Sequence, residues 1–432
     1  MESSKPFSHS IDISAIAQGS SQEESLLSSV EGKLEAFCSS ITIFRAPNDI
    51  SIEDKNVFVP AKVSIGPFHH GAPHLEPMEN LKWRYLSTFL KHNPSLTLDD
   101  LIELVVKSES RLRKCYEGEF YDLDSDKFSQ MMLLDCCFIL ELLLRYSKKR
   151  FRRWNDPVFN TPGLLFDLRC DLMLLENQIP YFLLDEVYEN VQDPLEENMS
   201  LNDLTFRFFK TMVAGDRKFV YDNFMVEADH LLEMVHSCFL STYPRMETND
   251  KSKSRELPSA SKLKTAGIKF KNARSPKSLL DIKFQKGVLE IPPLRVYQQT
   301  EAILRNLAAY EIRQFGSDLQ VKSYINFMSH LLQSDEDVKI LCRRKILIDL
   351  EDDEEQIIQN LKWMREEKES LSGTYFAGIV QKLNEKPDRC LTQWRGLRRN
   401  PVAIGVAAVW VVVVIFVAAF FSAISLLQRR YK

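Results

Sequence analysis

The chain has 432 residues, 27% of them charged and 44% hydrophobic, with a formal net charge of −4. That balance describes a globular body rather than a disordered chain, and an acidic total excludes a general nucleic-acid binder. Glycine is scarce, at 14 residues, which weighs against a glycine-built phosphate cradle. Residues 1–24 are Ser-rich and polar, are read as a disordered start, and lack the apolar core of a secretory signal. From Ser25 to Phe37 the apolar residues Leu26, Leu27, Val30, Leu34 and Phe37 recur at helical spacing. Ser40–Phe44 alternates like a short strand, and Phe58–Pro77 is rich in Pro and Gly and reads as a loop. Helices are predicted from about Met78 to Phe89 and from Leu98 to about Tyr116.

Phe128–Tyr146 is apolar nearly all round and is expected to be a central buried helix. Asp135 and Glu141 interrupt it and keep it from being a membrane span. A second buried helix runs from about Leu164 to Leu175, with Pro180 kinking or restarting it toward Val187. Shorter helices near Leu201–Met212 and Ala228–Leu240 precede a change in composition. Between Thr248 and Lys277 stand nine Lys or Arg against two acids, Asp250 and Glu256. This basic stretch, about 248–277, reads as a solvated linker with one short strand, or as a patch for acidic lipid or protein. Over about 279–292 the alternating runs Leu280–Phe284 and Val288–Ile291 flank Gln-Lys-Gly and predict a β-hairpin. Helices follow at about Thr300–Phe315, Leu319–Gln333 and Asp335–Ile348, and then a long polar helix from about Gln356 to Leu383. The expected fold class is therefore mainly α, α+β by virtue of a small hairpin or sheet element, with residues 25–390 as one mostly helical body.

The last element is a run of twenty-six uncharged residues, Val402 to Leu427. As a helix at about 1.5 Å per residue it reaches ~39 Å, against a hydrocarbon core of ~30 Å. Sixteen of its residues are Val, Ile, Leu or Phe, each worth roughly −0.3 to −0.6 kcal/mol on an insertion scale. Val402, Val411, Phe416 and Leu427 mark its course as a single transmembrane helix. Residues 391–401 form the juxtamembrane segment, with Asn400 and Pro401 suited to start the helix, and 428–432 form a short basic tail. With no earlier span, the expected topology is a C-terminal anchor in the plasma membrane or an endomembrane, its body in the cytosol. Asn198-Met199-Ser200, a glycosylation pattern, argues for the opposite side. Small residues spaced four apart, as in Ala403/Ala407 and Ala419/Ala423, suit self-association in the bilayer.

Several motifs in order resemble one family, the plant proteins called domain of unknown function 247. They include Val63-Ser-Ile-Gly-Pro-Phe-His-His-Gly71, then Met78-Glu79 with Lys82, Arg84 and Tyr85, and Cys115-Tyr116. Met131 with Asp135-Cys-Cys-Phe-Ile-Leu-Glu141 follows, then Asp171 with Leu174-Leu-Glu-Asn-Gln-Ile-Pro180. Ala266-Gly267, Leu280-Asp-Ile-Lys-Phe284, Gly287, Ile291-Pro292, Arg305-Asn306 and Glu311 continue the set. Asn384 to Asn400 is shorter than the family's usual approach to the membrane. The resemblance implies a plant protein with a helical body, a single C-terminal membrane pass and no established enzymatic activity. Some relatives are associated with self-incompatibility, a recognition process.

The residues themselves offer three candidate constellations. His69, His70 and His74 could in principle ligate a metal, but Gly71 and Pro73 prevent a regular helix from aligning them. A structural role for Gly66, Pro67, His69, His70 and Gly71 is the expectation. Asp135, Glu141 and Glu176 are carboxylates in apolar surroundings, each needing a partner. Asp135 and Glu141 stand six residues apart, about 120° off a common helical face, which argues against one shared site. Asn177, Gln178 and Pro180 are read as structural in the same way. The eight cysteines show no paired spacing, and Cys136-Cys137 lacks a basic neighbour to activate it. No cofactor and no metal is assigned. Two functions follow: membrane-anchored, non-enzymatic recognition or scaffolding of a protein partner, and alternatively a membrane-tethered hydrolase or transferase using His69, His70 and a carboxylate.

Overall fold

The computed structural model describes residues 41–47, 56–191, 199–246, 256–316, 319–349, 353–366, 371 and 373–385. The chain divides into two compact units, Met1–Phe208 with Met225–Met234, and Phe209–Phe224 with Val235–Lys432. The sequence reads as one body over 25–390, because hydropathy marks what is buried and not which apolar surfaces share a core. Among the described residues, no helix is long and apolar enough to cross a membrane. The run Val402–Leu427 and the helix expected at Ser25–Phe37 lie outside the described residues.

The first unit is built on three helices: α1 (Glu76–His92), α2 (Leu98–Lys114) and α3 (Ser125–Ser147). α2 opens on a capping box in which Thr97 and Asp100 each bond the other's backbone N–H. Asp99 and Asp100 in its first turn and Arg111, Arg113 and Lys114 in its last complement the helix dipole. α3 starts on Asp124, whose carboxylate accepts the Lys127 N–H at 2.9 Å. Both α1 and α2 pack on α3, which buries every residue from Met131 to Arg145. Such a helix is stable only inside a core, because burial of each large apolar side chain contributes about 1.5–3 kcal/mol. Then come α4 (Pro157–Asn160), α5 (Leu164–Asp171) and α6 (Tyr181–Glu189). The expected helix to Leu175 stops early: Leu172–Pro180 has no regular structure, since its side chains and backbone bond to distant parts of the unit. α7 (Leu201–Phe209) leads out of this unit, and α9 (Leu231–Ser237) begins where it returns. The expected strand at Ser40–Phe44 reduces to one bridge, Ile43 with Tyr116.

The second unit adds α8 (Arg217–Phe224), which the sequence pattern does not announce, and α10 (Ala260–Thr265). Strands β1 (Lys269–Asn272), β2 (Lys283–Gln285) and β3 (Val288–Ile291) form a sheet in the order β1-β3-β2. β1 runs parallel to β3 and β2 antiparallel, with Phe270 and Phe284 both opposite Leu289. The β2–β3 turn carries Lys286 at φ 49° and Gly287 at φ 81°, the paired left-handed geometry that two-residue hairpins favour. The basic stretch is thus no solvated linker over its described part, 256–277. Leu257, Ala260, Leu263, Ile268 and Phe270 are buried, so the lysines occupy only the outer face of a helix–strand unit. β4 (Leu294–Arg295) pairs in parallel with β5 (Leu347–Ile348).

α11 (Thr300–Gln314) packs on α12 (Gln320–Leu331), and α13 (Asp335–Cys342) packs on α10. α13 carries a Ser334/Asp337 capping box and ends early. The left-handed Lys345 (φ 55°) reverses the chain into β5, where one continuous helix is expected. The predicted helix from Gln356 to Leu383 is also broken. It comprises α14 (Glu354–Asn360), a 3₁₀ turn at Trp363–Arg365 and a helix over 377–385. Leu361, Met364, Phe376 and Leu383 are buried; bending the chain covers these side chains, which one straight polar helix leaves in water.

Candidate functional site

The motif residues converge in the first unit on the loop from Pro60 to Gly71. Five backbone N–H groups between residues 61 and 66 donate to buried side chains. Ala61 N–H reaches Asp171 Oδ1 at 2.9 Å, while Lys62 and Val63 N–H reach Oδ2 at 2.6 and 2.9 Å. Ile65 N–H donates to Asn177 Oδ1 at 2.7 Å and Gly66 N–H to Asp135 Oδ2 at 2.8 Å. Asn177 returns the connection, its Nδ2 donating to the Val63 and Asp171 carbonyls at 3.0 and 2.9 Å. Asp171 closes α5, so that helix end and the irregular segment after it are shaped to meet this loop.

Gln178 does the same for its own segment. Its Nε2 donates to the Leu172 and Leu174 carbonyls at 2.9 and 2.8 Å, and its Oε1 accepts the Leu232 N–H at 3.0 Å. Tyr116 donates its hydroxyl to the Gln178 carbonyl at 3.0 Å. Pro180 follows in extended backbone (φ −57°, ψ 128°) and begins α6. Asn177, Gln178, Asp171 and Asp135 are all buried, so each bond replaces water that these backbone groups cannot otherwise reach.

Lys82, fully buried on α1, completes the loop's support. Its Nζ donates to the Ser64 carbonyl and to Asp135 Oδ1, each at 2.5 Å, and lies 2.6 Å from Glu79 Oε1. Two hydrogen bonds and one ion pair thus compensate the buried ammonium. Burial pushes the Asp135 carboxyl up, opposed by Lys82 and by the Gly66 N–H. Sequence spacing held a signal for Lys82: it stands with Met78, Leu81, Tyr85 and Phe89 on the buried stripe of α1, where a lone cation demands an anion.

Glu141 belongs to a different network. Arg145 Nε donates to its Oε1 at 2.7 Å, and His92 Nδ1 lies 3.2 Å away. Arg145 Nη1 donates to Asp156 Oδ2 at 2.6 Å, with the Tyr85 hydroxyl donating to Oδ1 at 3.0 Å. Asp135 and Glu141 are therefore separately partnered. Arg145, Asp156 and Asp171 carry as much of the structure as the acids singled out from sequence; the signal for Asp156 is the Asp-Pro pair that starts α4, where its carboxylate caps the helix.

The outer edge of the loop is Phe68-His69-His70-Gly71. Gly66 at φ 72° and Gly71 at φ 79° bracket it, with the buried Pro67 after the first. Phe68 packs between Tyr116 and Phe120, with the Arg45 guanidinium 4.4 Å from its ring centre. His69 Nε2 lies 3.2 Å from Glu176 Oε2, and Glu176 Oε1 accepts the Ala46 N–H at 2.8 Å. Burial favours the neutral acid at Glu176, yet His69, the Ala46 N–H and Arg45 outweigh it and hold the carboxyl below its usual value. His70 is exposed, and His74 Nε2 lies 3.0 Å from the Pro60 carbonyl. The three histidines thus have separate surroundings. Among the described residues, no group of three or more His, Cys, Asp or Glu is placed to hold a metal. Burial pushes the Cys136 and Cys137 thiols up, away from the thiolate.

Acids bind backbone in the second unit too. Glu311 accepts the Val321 and Lys322 N–H groups at the start of α12, at 2.8 and 3.1 Å. Asp281 accepts the N–H groups of Thr242, Lys277 and Ser278.

A family profile described as "Plant protein of unknown function", DUF247, matches residues 43–424. The chain belongs to this family. It is 32% identical to the Arabidopsis thaliana "UPF0481 protein At3g47200" over 355 residues, covering 76% of this chain and 72% of that one. It is 22% identical to the Arabidopsis thaliana "Putative UPF0481 protein At3g02645" over 401 residues, covering 71% and 75% respectively. No solved structure matches. In this DUF247 chain the motif from Val63 to Gly71 and the motif from Leu174 to Pro180, over a hundred residues apart in sequence, form one hydrogen-bonded assembly. This accounts physically for their residue types: acceptors for N–H groups, an amide for both donor and acceptor, and glycine where φ is positive.

Asp171 provides a pH test of the assembly. Burial pushes its carboxyl up to about 6, against the N–H groups of Ala61, Val63 and Lys62, which pull it down. The folded value lies above the unfolded one, near 3.9, so the native state holds the extra proton between about pH 4 and 6. Stability from this group therefore falls as pH rises through that window and levels off above it. Asp171→Asn is expected to flatten that slope in denaturant unfolding of the chain in mild detergent. It is also expected to lower stability at pH 7 by about 2–4 kcal/mol, because an amide –NH₂ faces buried N–H donors. An unchanged slope in the variant is the contrary result.

Proposed function

We propose that this chain is a membrane-anchored recognition or scaffolding protein that acts by binding another protein and catalyses no reaction of its own. The observation that carries the reading is the use made of the motif side chains. Asp135, Asp171, Asn177 and Gln178 are buried and bonded to backbone. Buried acceptors already filled by N–H groups are poor proton-transfer groups, but they hold a loop still. The outcome is a fixed turn offering Phe68, His69 and His70 at its edge, and rigid presentation lowers the ordering cost of binding a partner.

The anchor in this proposal is Val402–Leu427, whose twenty-six uncharged residues suit a bilayer core. The body stands on the cytosolic side, and small residues along the span favour association of two copies. Alkaline carbonate extraction of membranes tests the anchor. The full chain is expected to stay in the pellet and a version ending at Asn400 to be released; equal release of both removes the anchor from the proposal. Protease protection in sealed vesicles, with a glycan test at Asn198, reads the orientation.

One observation favours the hydrolase or transferase alternative: His69 Nε2 and Glu176 Oε2 are 3.2 Å apart, a spacing suited to orienting an imidazole. Against it, Glu176 also fixes the Ala46 N–H, which gives the pair a structural use.

A further inference from the structure

We infer that the second unit carries a binding site for a compact polyphosphorylated ligand, at the concavity where α10, β1 and α13 meet. This site is independent of the Pro60–Gly71 loop and of the anchor. The cavity has a volume of about 530 Å³ and is lined by Lys264, Gly267, Ile268, Lys269, Phe270, Ile340, Arg343 and Arg344. Half of these are cations and none is an acid.

The floor is apolar and fixed. Ile268, Phe270 and Ile340 are 2, 5 and 5% exposed, and they belong to the core that joins the helix–strand unit to α13. The walls are the exposed side chains of Lys264, Lys269, Arg343 and Arg344. They arrive from three elements: the last turn of α10, the first residue of β1 and the turn after α13. Tight reversals bring them together. At the end of α10 the Ile268 N–H donates to the Leu263 carbonyl, and at the end of α13 the Ile346 N–H donates to the Leu341 carbonyl. The reversing residues are Gly267 at φ 86° and Lys345 at φ 55°. Gly267 leaves the cavity open, because nothing lies within 4 Å of the position a Cβ would take.

The charges at this place exceed what the fold requires of them. A cation or two in a last helical turn offsets the helix dipole. Four like charges lining one concavity repel one another, and no acid lines it to offset them. Arg343 has one partner, Glu336 at 3.4 Å, and both side chains are more than half exposed. Lys264, Lys269 and Arg344 have no ion pair among the described residues. An anion with several charges relieves the repulsion, and its binding stabilises the folded state by mass action.

Ligand class follows from the donors. Two arginines supply guanidinium groups whose planar forks match phosphate oxygens two at a time, and the lysines add compact charge. A single carboxylate neutralises only one of the four. The concavity admits a small ring or headgroup bearing two or more phosphates. That chemistry has two sources, a soluble polyphosphate and a phosphoinositide headgroup.

The test uses the full chain in detergent, with inositol hexakisphosphate as the probe and titration calorimetry plus thermal unfolding as readouts. Binding is expected to weaken as sodium chloride rises, and the probe to raise the unfolding temperature. Lys264→Glu with Arg344→Glu is expected to weaken binding by about tenfold or more, and Lys264→Gln with Arg344→Gln by less. The charge-matched pair Lys107→Glu and Lys218→Glu, neither of which lines the cavity, is expected to bind as the unaltered chain does. Competition by nanodiscs containing phosphatidylinositol bisphosphate, but not by phosphatidylcholine alone, assigns the headgroup; binding without such competition assigns the soluble ligand. The proposal is overturned by no binding of either probe, by equal weakening in the control pair, or by equal affinity for a polyglutamate peptide of the same charge.

Discussion

Replacing Lys82 by Met is expected to destabilise the first unit by about 3–5 kcal/mol, the cost typical of leaving one member of a buried pair alone. Methionine fills nearly the same volume, so the loss is electrostatic rather than a cavity. Asp135 keeps only the Gly66 N–H as a partner inside the core, and the Ser64 carbonyl loses its donor. Since a domain is stable by only about 5–15 kcal/mol in total, urea unfolding of the chain in mild detergent should detect this easily. Adding Asp135→Asn to the Met variant is expected to recover part of the loss, because the amide oxygen still accepts the Gly66 N–H while the uncompensated charge is gone. A Lys82→Met chain within about 1 kcal/mol of the original contradicts a loop that depends on the buried Lys82–Asp135 pair.

Gly66→Ala is the second large effect, on the order of 3 kcal/mol or more, from two additive causes. At φ 72° an L side chain costs roughly 1–2 kcal/mol. The new Cβ also stands 2.5 Å from the Gln178 carbonyl oxygen and 3.0 Å from the Tyr116 hydroxyl, atoms hydrogen-bonded to each other. To relieve the clash the loop must withdraw, which lengthens the Gly66 N–H bond to Asp135. Gly71→Ala separates the two causes: its φ is 79°, yet nothing lies within 4 Å of the added Cβ. Its expected cost is therefore the backbone part alone, roughly 1–2 kcal/mol. Equal losses at both positions, measured by unfolding midpoints, exclude the close approach of Gly66 to Gln178 as a source of stability.

These two experiments bear on what the family motifs do. The Val63–Gly71 and Leu174–Pro180 runs look from sequence like a histidine-rich loop and an acid–amide cluster. In three dimensions they are the two halves of one latch, with Asp135 and Lys82 beneath it. Its acids are held by N–H groups, as Glu311 and Asp281 are in the second unit. His70 and the cations around the basic concavity are left exposed.

Local sequence determined the helices wherever capping residues and an apolar stripe agreed. Thr97/Asp100, Asp124 and Ser334/Asp337 start their helices because a short polar side chain satisfies N–H groups within three residues. The same holds for the β2–β3 hairpin, fixed by Lys286-Gly287, and for the burial of α3 from Met131 to Arg145, a stretch apolar nearly all round. The need of Asp135 and Glu141 for partners was also legible, because a carboxylate in an apolar run cannot stand alone. Tertiary structure alone decided which partners: Lys82 lies fifty-three residues from Asp135, and Asn177 lies 112 from Ile65. It also ended the helix at Asp171, whose carboxylate binds a distant loop, made residues 256–277 of the basic stretch a helix and strand over five buried apolar residues, and bent the chain after Asn360. The common reason is that backbone N–H groups and buried side chains far apart in sequence satisfy one another only once the core has brought them within about 3 Å.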